Sequence, residues 1–169
     1  MQMKFYTPHI LLQEFINCIM IVHVEAKPGD APMISPYPPS PQNCLFFYIN
    51  EQIKMQKNTA GAFVLQPRSV IVGPQLIRVT LDINKSHKAV RVGFHPGGLY
   101  RLLGVSMAEM VDESYDATDV FGNKLQEVNN RLQEAGTFDE IHVVIENFLL
   151  KKLSVLKRAL PFDMAMLEL

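Results

Sequence analysis

The sequence predicts an α+β fold that is mainly β, in which an antiparallel barrel or sandwich is followed by a C-terminal helical element. Up to about residue 95, short apolar runs alternate with polar residues and are separated by turn residues, which is typical of closely spaced antiparallel strands. Beyond residue 122, apolar residues recur at helical spacing instead. The change of pattern occurs within the stretch 94–122, FHPGGLYRLLGVSMAEMVDESYDATDVFG.

Length and composition indicate one globular domain. The chain has 169 residues, of which 48% are hydrophobic and 20% charged, and this is enough for a sizeable core. Its formal net charge is -1 with Lys and Arg dispersed, so we expect that this chain alone does not bind DNA. Cys18 and Cys44 lie in apolar runs and are predicted to be free thiols in a reducing compartment. The apolar run 15–24 is too short to span a bilayer, so we expect a cytoplasmic protein without a membrane contact.

The first elements are predicted to be a helical turn at 10–14 and a strand at 15–26. The strand has an apolar face, and its second face mixes polar and apolar residues, which is typical of a sheet edge or a cavity lining. The apolar face consists of Ile16, Cys18, Met20, Val22 and Val24, and the mixed face of Asn17, Ile19, Ile21, His23 and Glu25.

The segment 27–42 contains six prolines, which predict an irregular path without a regular ladder. We expect it to cross the mouth of the barrel, and an ordinary surface loop is the alternative. Further strands are predicted at 43–49, 52–56, 61–65, 69–72, 76–84 and 89–95, with a hairpin turn at 84–87. In the last strand Val90, Val92 and Phe94 share one face, which places Arg91 on the other.

A strand-to-helix corner is predicted after Phe94. Pro96 suits the first turn of a helix, and Gly97 and Gly98 permit a close approach of the backbone. Gly104 is placed to end this helix. The spacing of Ser106 and Glu109 matches a capping box and predicts a second short helix there.

Two longer helices are predicted after residue 122. The first covers 123–135 and ends before Gly136, and the second runs from Thr137, whose capping box includes Glu140, to about Leu156. Apolar residues of the second helix occupy more than one stripe, which predicts a dimer interface. The predicted interface residues are Ile141, Val144, Ile145 and Phe148. The alternative is that the preceding helix covers the second stripe within one chain.

Residues 94–122 resemble the segment that joins the barrel to the helices in one group of AraC-type transcriptional regulators. The residues that carry the resemblance are Phe94, Pro96, Gly97, Gly98, Tyr100, Leu103, Gly104, Val105, Glu109, Met110, Asp112, Asp119, Val120, Phe121 and Gly122. Met110 and Val120 stand where that family usually has Leu, and Pro41-Gln42-Asn43 replaces its P-D-G-like turn.

The resemblance implies a domain organisation and a function. A cupin-like β-barrel would occupy 1–95, a helical element packed on it 96–160, and 161–169 would begin a linker to a helix-turn-helix domain that this chain lacks. The expected function is ligand sensing and dimerisation: a homodimer that binds an unknown small-molecule effector and reaches DNA only through the missing domain.

No motif indicates catalysis or a metal centre. The histidines His9, His23, His87, His95 and His142 lack the close His-x-His spacing of cupin metal sites. The glycines at 97–98 do not form a phosphate loop, because the Lys-Ser/Thr pair is missing. We therefore predict no enzymatic activity, no catalytic residues, no metal and no cofactor. A stand-alone cupin-like small-molecule binding protein or enzyme is the alternative, and a barrel that only dimerises is a third hypothesis.

The candidate ligand-binding residues are Arg91, His23, Tyr48 and Phe46. Aromatic side chains typically line small-molecule pockets, and an arginine can bind a carboxylate or phosphate through two parallel hydrogen bonds. The alternative for Arg91 is that its side chain points outward to solvent.

Overall fold

The computed structural model describes residues 1–27, 29–31, 33–57, 61–106 and 110–156. Two antiparallel β-sheets face each other, and helices follow them in sequence and cover the outer face of the larger sheet. The predicted fold class, mainly β with a sandwich of antiparallel sheets and C-terminal helices, is therefore confirmed. No helix within these ranges is long and apolar enough to cross a membrane.

The element bounds follow the alternating and helical patterns of the sequence. The strands are β1 (Gln2–Tyr6), β2 (Ile16–Glu25), β3 (Ile34–Tyr37), β4 (Cys44–Tyr48), β5 (Lys54–Lys57), β6 (Val64–Leu65), β7 (Ser69–Val72), β8 (Val79–Asp82), β9 (Ser86–Phe94) and β10 (Ser114–Asp116). The α-helices are α1 (Gly98–Leu103), α2 (Ala117–Phe121), α3 (Asn123–Glu134) and α4 (Phe138–Leu150), and 3-10 turns cover Ile10–Leu12 and Lys151–Val155.

The strands divide into a larger and a smaller sheet. The larger sheet has the order β1-β2-β9-β4-β7-β10 and the smaller sheet the order β3-β8-β5-β6. Every described ladder is antiparallel, and β9 lies between β2 and β4. β9 is thus an interior strand, and the direction of its side chains assigns both faces of the larger sheet.

Alternation along β2 and β9 assigns the two faces of the larger sheet. Ile19, Ile21, Val90 and Val92 are fully buried and pack with the helices in the main hydrophobic core. Their alternate neighbours, among them Arg91, point toward the smaller sheet. The mixed face that the sequence predicted for β2 is therefore not a cavity lining, because its apolar members lie in the helix-covered core.

The two glycines of the strand-to-helix corner are placed as predicted, but Pro96 precedes the N-cap residue Gly97 and is not in the first turn of α1. Gly97 has φ 72°, and a Cβ on Gly98 would lie 2.2 Å from the carbonyl oxygen of Phe15. Gly104 ends α1 in the left-handed conformation. The capping box of α4 is also confirmed, since Thr137 and Glu140 satisfy each other's backbone amides.

The proline-rich segment departs from its prediction. β3 includes Pro36, which is paired with Thr80 of β8, so the prediction that prolines exclude a ladder here is wrong. β3 is an edge strand of the smaller sheet, and an edge position tolerates a residue without a backbone N–H. β1 and β10, the edges of the larger sheet, were not predicted as strands because both are short and mix polar with apolar residues.

The predicted hairpin between the last two strands is wrong. β8 pairs with β3 and β5, whereas β9 pairs with β2 and β4, so residues 83–85 cross from one sheet to the other. Asn84 has φ 55° and its carbonyl accepts a hydrogen bond from the Met33 amide, which fixes this crossing. The Glu109 partner of the predicted second capping box and the predicted linker 161–169 lie outside the described residues. α4 ends at Leu150, and a 3-10 turn carries the predicted long helix on toward Leu156.

Candidate functional site

A cavity of about 420 Å3 lies between the two sheets. Its volume falls in the range of small-molecule sites, roughly 300–1,000 Å3, and its lining is mainly apolar, as such sites usually are. The lining residues are Met1, Met20, Val22, Val24, Ser35, Tyr37, Phe46, Tyr48, Ile53, Met55, Val72, Gln75, Val79, Leu81, Ile83, His87, Ala89 and Arg91.

The cavity floor is the inner face of the larger sheet. Antiparallel register places Met20 of β2 and Phe46 of β4 on either side of Arg91 in β9. In the next row Ala89 lies beside Tyr48, whose ring is stacked 6.1 Å from that of Phe46. The floor therefore presents one arginine between apolar and aromatic side chains.

The roof is formed by the smaller sheet. Tyr37 of β3 and Val79 of β8 are register partners, as are Ser35 and Leu81. The Tyr37 ring meets the Phe46 ring of the floor edge to face, with centroids 6.4 Å apart. The middle of the proline-rich segment 27–42 thus helps to close the cavity, because β3 lies there.

Arg91 is partly buried, and the alternative that it points outward to solvent is wrong. Its Nη2 donates a hydrogen bond to Oε1 of Gln42 at 2.6 Å, and its Nη1 lies 3.7 Å from Sγ of Cys18. Its Nε is buried and has no hydrogen-bond partner among the described residues. Among the described residues, no aspartate or glutamate lines the cavity and no carboxylate forms an ion pair with Arg91.

Ionisable groups near Arg91 do not supply the missing negative charge. Burial raises the pKa of the Cys44 thiol to about 11, although the guanidinium of Arg91 partly opposes this. Burial also raises the pKa of Tyr37, with Cys44 adding to the effect and Arg91 opposing it. The thiol and the phenol are therefore neutral at pH 7, and the charge of Arg91 stays uncompensated.

His87 lines the cavity as a neutral side chain. Burial lowers its pKa to about 4, and the neighbouring His23 contributes in the same direction. Its ring lies 6.1 Å from that of Tyr48, whose own pKa is raised by burial. At pH 7 Arg91 is thus the one cationic side chain among the lining residues that the structure describes.

The structure brings three of the four predicted ligand-binding residues together. Arg91, Tyr48 and Phe46 share the cavity floor, whereas His23 does not line the cavity. His23 points from β2 to the opposite face of the larger sheet, and its Nε2 lies 3.2 Å from Oε1 of Glu25. Side chains alternate between the two faces along a strand. Val22 and Val24 of β2 line the cavity, so His23 between them lies on the opposite face.

Gln42 is the contact that sequence reasoning missed. Its amide oxygen holds Arg91, and its Nε2 donates to the carbonyl oxygen of Phe94 at 3.3 Å. A Cβ on Gly93 would lie within 2.9 Å of three Gln42 side-chain atoms, so the glycine makes room for the amide. A lone glycine inside a strand is a sequence signal for such a close approach, and Gly93 carried it.

The predicted interface residues of α4 are buried within the chain itself. Ile141 and Ile145 are fully buried, and Val144 and Phe148 are 8% and 7% exposed. The ring of Phe148 packs edge to face on that of Phe47 in the larger sheet, with centroids 6.2 Å apart. These four side chains stabilise the contact between helix and sheet, and the dimer remains a prediction that needs another surface.

The helical element contains a groove between α3 and α4. Its volume is about 380 Å3, and Val144 and Phe148 form part of its base. The ammonium group of Lys152 lies 5.2 Å from the centre of the Phe148 ring and covers it.

Metal-ligating side chains do not converge in the described structure. Among residues 1–27, 29–31, 33–57, 61–106 and 110–156, no group of three or more His, Cys, Asp or Glu side chains is arranged to hold an ion. Cys18 and Cys44 are both free thiols, and Cys44 is buried.

The fold and cavity define a two-sheet β-sandwich with a ligand-sized interior and a helical element on its outer face. The chain belongs to the family described as "Domain of unknown function (DUF6597)", whose model matches residues 4–116. The match begins within β1 and extends through the end of β10, so it includes both sheets except for Gln2 and Met3. A comparison with curated proteins gives no match.

Two similar solved structures are both of HppE. A crystal structure of Fe(II)-HppE with the alternative substrate (S)-1-HPP has 16% sequence identity and a TM-score of 0.36, covering 54% of this chain and 48% of that one. A crystal structure of apo-HppE has 21% identity and a TM-score of 0.29, covering 46% of this chain and 41% of that one. The chain thus spans about half the length of the first structure. TM-scores this low support no conclusion about this chain.

Proposed function

We propose that this protein is the ligand-sensing and dimerisation domain of an AraC-type transcription regulator and has no enzymatic activity of its own. In this proposal the protein is a homodimer in the cytoplasm, and DNA binding belongs to a separate helix-turn-helix domain. The effector enters the cavity between the two sheets, with Arg91, Tyr48 and Phe46 among its contacts.

The observation that carries the proposal is the position of Arg91 in the cavity. A mainly apolar pocket with a few polar groups, of which Arg91 is the charged one, is typical of a small-molecule site, in which apolar contacts give affinity and polar groups fix orientation. A cavity kept only for packing would be filled by apolar side chains, because an unpaired charge costs stability. The resemblance of residues 94–122 to AraC-type regulators assigns that binding to sensing.

The organisation of the chain supports a sensor. One face of the larger sheet borders the cavity, and its other face packs against the helices. A ligand in the cavity is therefore separated from the main core by a single β-sheet. Packed cores switch between discrete arrangements more readily than they deform gradually. A shift of the strands that form the cavity floor would therefore also shift the side chains that pack against the helices.

A chimeric regulator tests the sensing role. Residues 1–156 are joined to the helix-turn-helix domain of an AraC-type regulator whose own sensor has been removed, and binding to single and paired half-sites is measured by gel shift. We expect at least about tenfold preference for the paired sites, because a dimer engages both at once. Equal binding to single and paired sites would contradict the regulator proposal.

A cavity-filling variant separates sensing from simple dimerisation. Val22→Trp places an indole in the cavity, and Val120→Trp, on the exposed side of α2, is the matched control. We expect only Val22→Trp to abolish small-molecule binding while the chimera still prefers paired sites. If the parent binds small molecules but the chimera shows no paired-site preference, the protein is a stand-alone binding protein instead.

A further inference from the structure

The positive charge of Arg91 has no anionic partner among the residues that the structure describes. The guanidinium stays protonated at every physiological pH, and burying it partly in an apolar cavity costs free energy unless an anion compensates it. Its hydrogen-bond partners among the described residues are the amide oxygen of Gln42 and the side chains of Tyr37, Cys18 and Cys44, and none of them is a carboxylate. Elsewhere the same chain gives Arg101 a carboxylate, that of Glu14, even though this pair lies near the surface.

The geometry around Arg91 holds its side chain toward the cavity. Gln42 anchors Nη2, and the missing side chain of Gly93 provides the space in which the Gln42 amide lies. Gln42 is itself held by its hydrogen bond to the carbonyl of Phe94. Gln42 is thus a positioning residue, which fixes the guanidinium without neutralising it.

We infer that the ligand of this cavity is a small amphipathic monocarboxylate, whose apolar body lies between the sheets and whose carboxylate pairs with Arg91. The inference rests on the proposed function and specifies its ligand class. A carboxylate offers two oxygens in the plane of the guanidinium, and such pairs are stronger than neutral hydrogen bonds. The apolar wall around it, with Tyr37, Phe46 and Tyr48, takes a hydrocarbon or aryl body.

The same lining disfavours other classes of ligand. A phosphate ester carries up to two negative charges at pH 7, and the described lining offers one cationic side chain. A sugar needs many hydrogen-bond partners, and the described polar side chains of the lining are Ser35, Gln75, His87, Arg91 and the two tyrosine hydroxyls. His87 is neutral, so it adds no second charge for a dianion.

Matched acid and alcohol probes test the inference. Octanoate is compared with 1-octanol, and 3-phenylpropionate with 3-phenylpropanol, by isothermal titration calorimetry at pH 7.5, where both acids are ionised. We expect each acid to bind at least about tenfold more tightly than its alcohol, since hydrogen bonds to charged groups are worth more than neutral ones. Equal affinities of acid and alcohol would overturn the ligand class and leave the cavity as a binding site.

Two variants test whether Arg91 and Gln42 carry that preference. Gln42→Glu keeps the shape of the side chain and supplies the missing carboxylate 2.6 Å from Nη2, and Arg91→Gln removes the charge. We expect both to abolish the acid preference, so that each acid binds either variant no more tightly than the corresponding alcohol does. The controls Gln126→Glu and Arg78→Gln make the same changes at exposed positions and should keep the preference.

The outcomes separate this inference from the proposed function. If Gln42→Glu keeps the acid preference, the carboxylate binds elsewhere and the inference is wrong. If neither the acids nor the alcohols bind the parent, then both the ligand class and the cavity as a binding site are rejected. If all four probes bind the parent and Val22→Trp equally, binding is outside the cavity and the proposed site fails.

Discussion

At the scale of single residues, Arg91 shows a charge placed where it costs stability. An arginine that is partly buried and has no anionic partner among the residues that the structure describes is expected to be kept for binding, since a hydrophobic residue of similar volume would be neutral or stabilising there. Arg91→Met should therefore raise the free energy of unfolding of the ligand-free protein by about 1 kcal/mol, or the melting temperature by about 2–4 °C. Thermal unfolding measured by circular dichroism gives this value.

The control is Arg78→Met, which removes an exposed arginine and should change stability by less than about 0.5 kcal/mol. If Arg91→Met melts below the parent while Arg78→Met does not, Arg91 stabilises the fold. The argument that Arg91 is kept for ligand binding at a cost in stability is then contradicted.

The stability of the protein is expected to depend on pH through His87. Its pKa is about 4 in the folded protein against 6.5 for an unperturbed histidine, so between these values the unfolded chain binds a proton that the folded chain does not. Stability must then rise with pH through this window and fall as the pH is lowered. We expect the melting temperature of the parent, compared with that of His87→Gln, to fall from pH 7 to pH 4.5. A difference that is constant over this range would show that His87 titrates normally.

Residue-level reasoning from the sequence found Arg91 and missed its partner for physical reasons. Alternation within β9 placed Arg91 opposite the buried face, and the pleat of a strand makes that inference dependable. Gln42 lies 49 positions away in sequence, in an irregular segment, and no local pattern connects two such residues. His23 was assigned to the mixed face correctly, but which face of the sheet meets the cavity depends on where the helices pack.

At the scale of elements, the corner between β9 and α1 depends on the absence of a side chain. A Cβ on Gly98 would lie 2.2 Å from the carbonyl oxygen of Phe15, and that oxygen already accepts the amide of His95 at 2.9 Å. Gly98→Ala should therefore cost about 1–3 kcal/mol of unfolding free energy, because backbone on both sides must shift. Urea denaturation measures the change.

Gly136→Ala is the control for this prediction. Its Cβ would meet only the carboxylate end of Glu140, at an ordinary 3.6 Å, so we expect a change below about 0.5 kcal/mol. Equal stability of the two alanine variants would mean that the corner relaxes easily and that Gly98 is not required.

Elements with strong local signals were predicted, and elements defined by their partners were not. The capping box of Thr137 fixed the start of α4, since both of its hydrogen bonds are local. β1 and β10 exist because β2 and β7 offer them free ladder edges, and their own sequences carry no such pattern. The crossing at Asn84 was predicted as a hairpin because a turn signal does not specify which sheet the next strand joins.

At the scale of the whole molecule, the larger sheet separates two compartments with different demands. One face is packed tightly with the helices and stabilises the fold. The other face borders a smaller apolar cluster and the cavity, where Arg91 is kept at a cost. The two faces belong to the same sheet, so the packing of the main core offsets the loss of stability caused by burying Arg91. Proteins tolerate such local destabilisation where the surrounding structure holds it in place.

The proposed homodimer is the last prediction, and the structure changes how it must be tested. A charge at Val144 or Phe148 would disrupt the chain's own core, because both are nearly buried against the sheet and the neighbouring helices. Val143 of α4 is 52% exposed instead, so it can contact a partner without supporting the fold. We therefore expect a dimer that forms through α4 to use its Val143 side, because Val143 is the exposed large hydrophobic residue of this helix.

Light scattering at micromolar concentration should give about twice the chain mass of 19.2 kDa for the parent, and Val143→Asp should halve it. Val120→Asp is the matched control, since Val120 of α2 is 44% exposed and should tolerate the same charge within the dimer. Melting temperatures of both variants show whether the chain itself stays folded. A parent that scatters as a monomer would remove dimerisation from the proposed function, and a dimer that persists in Val143→Asp would move the interface away from α4.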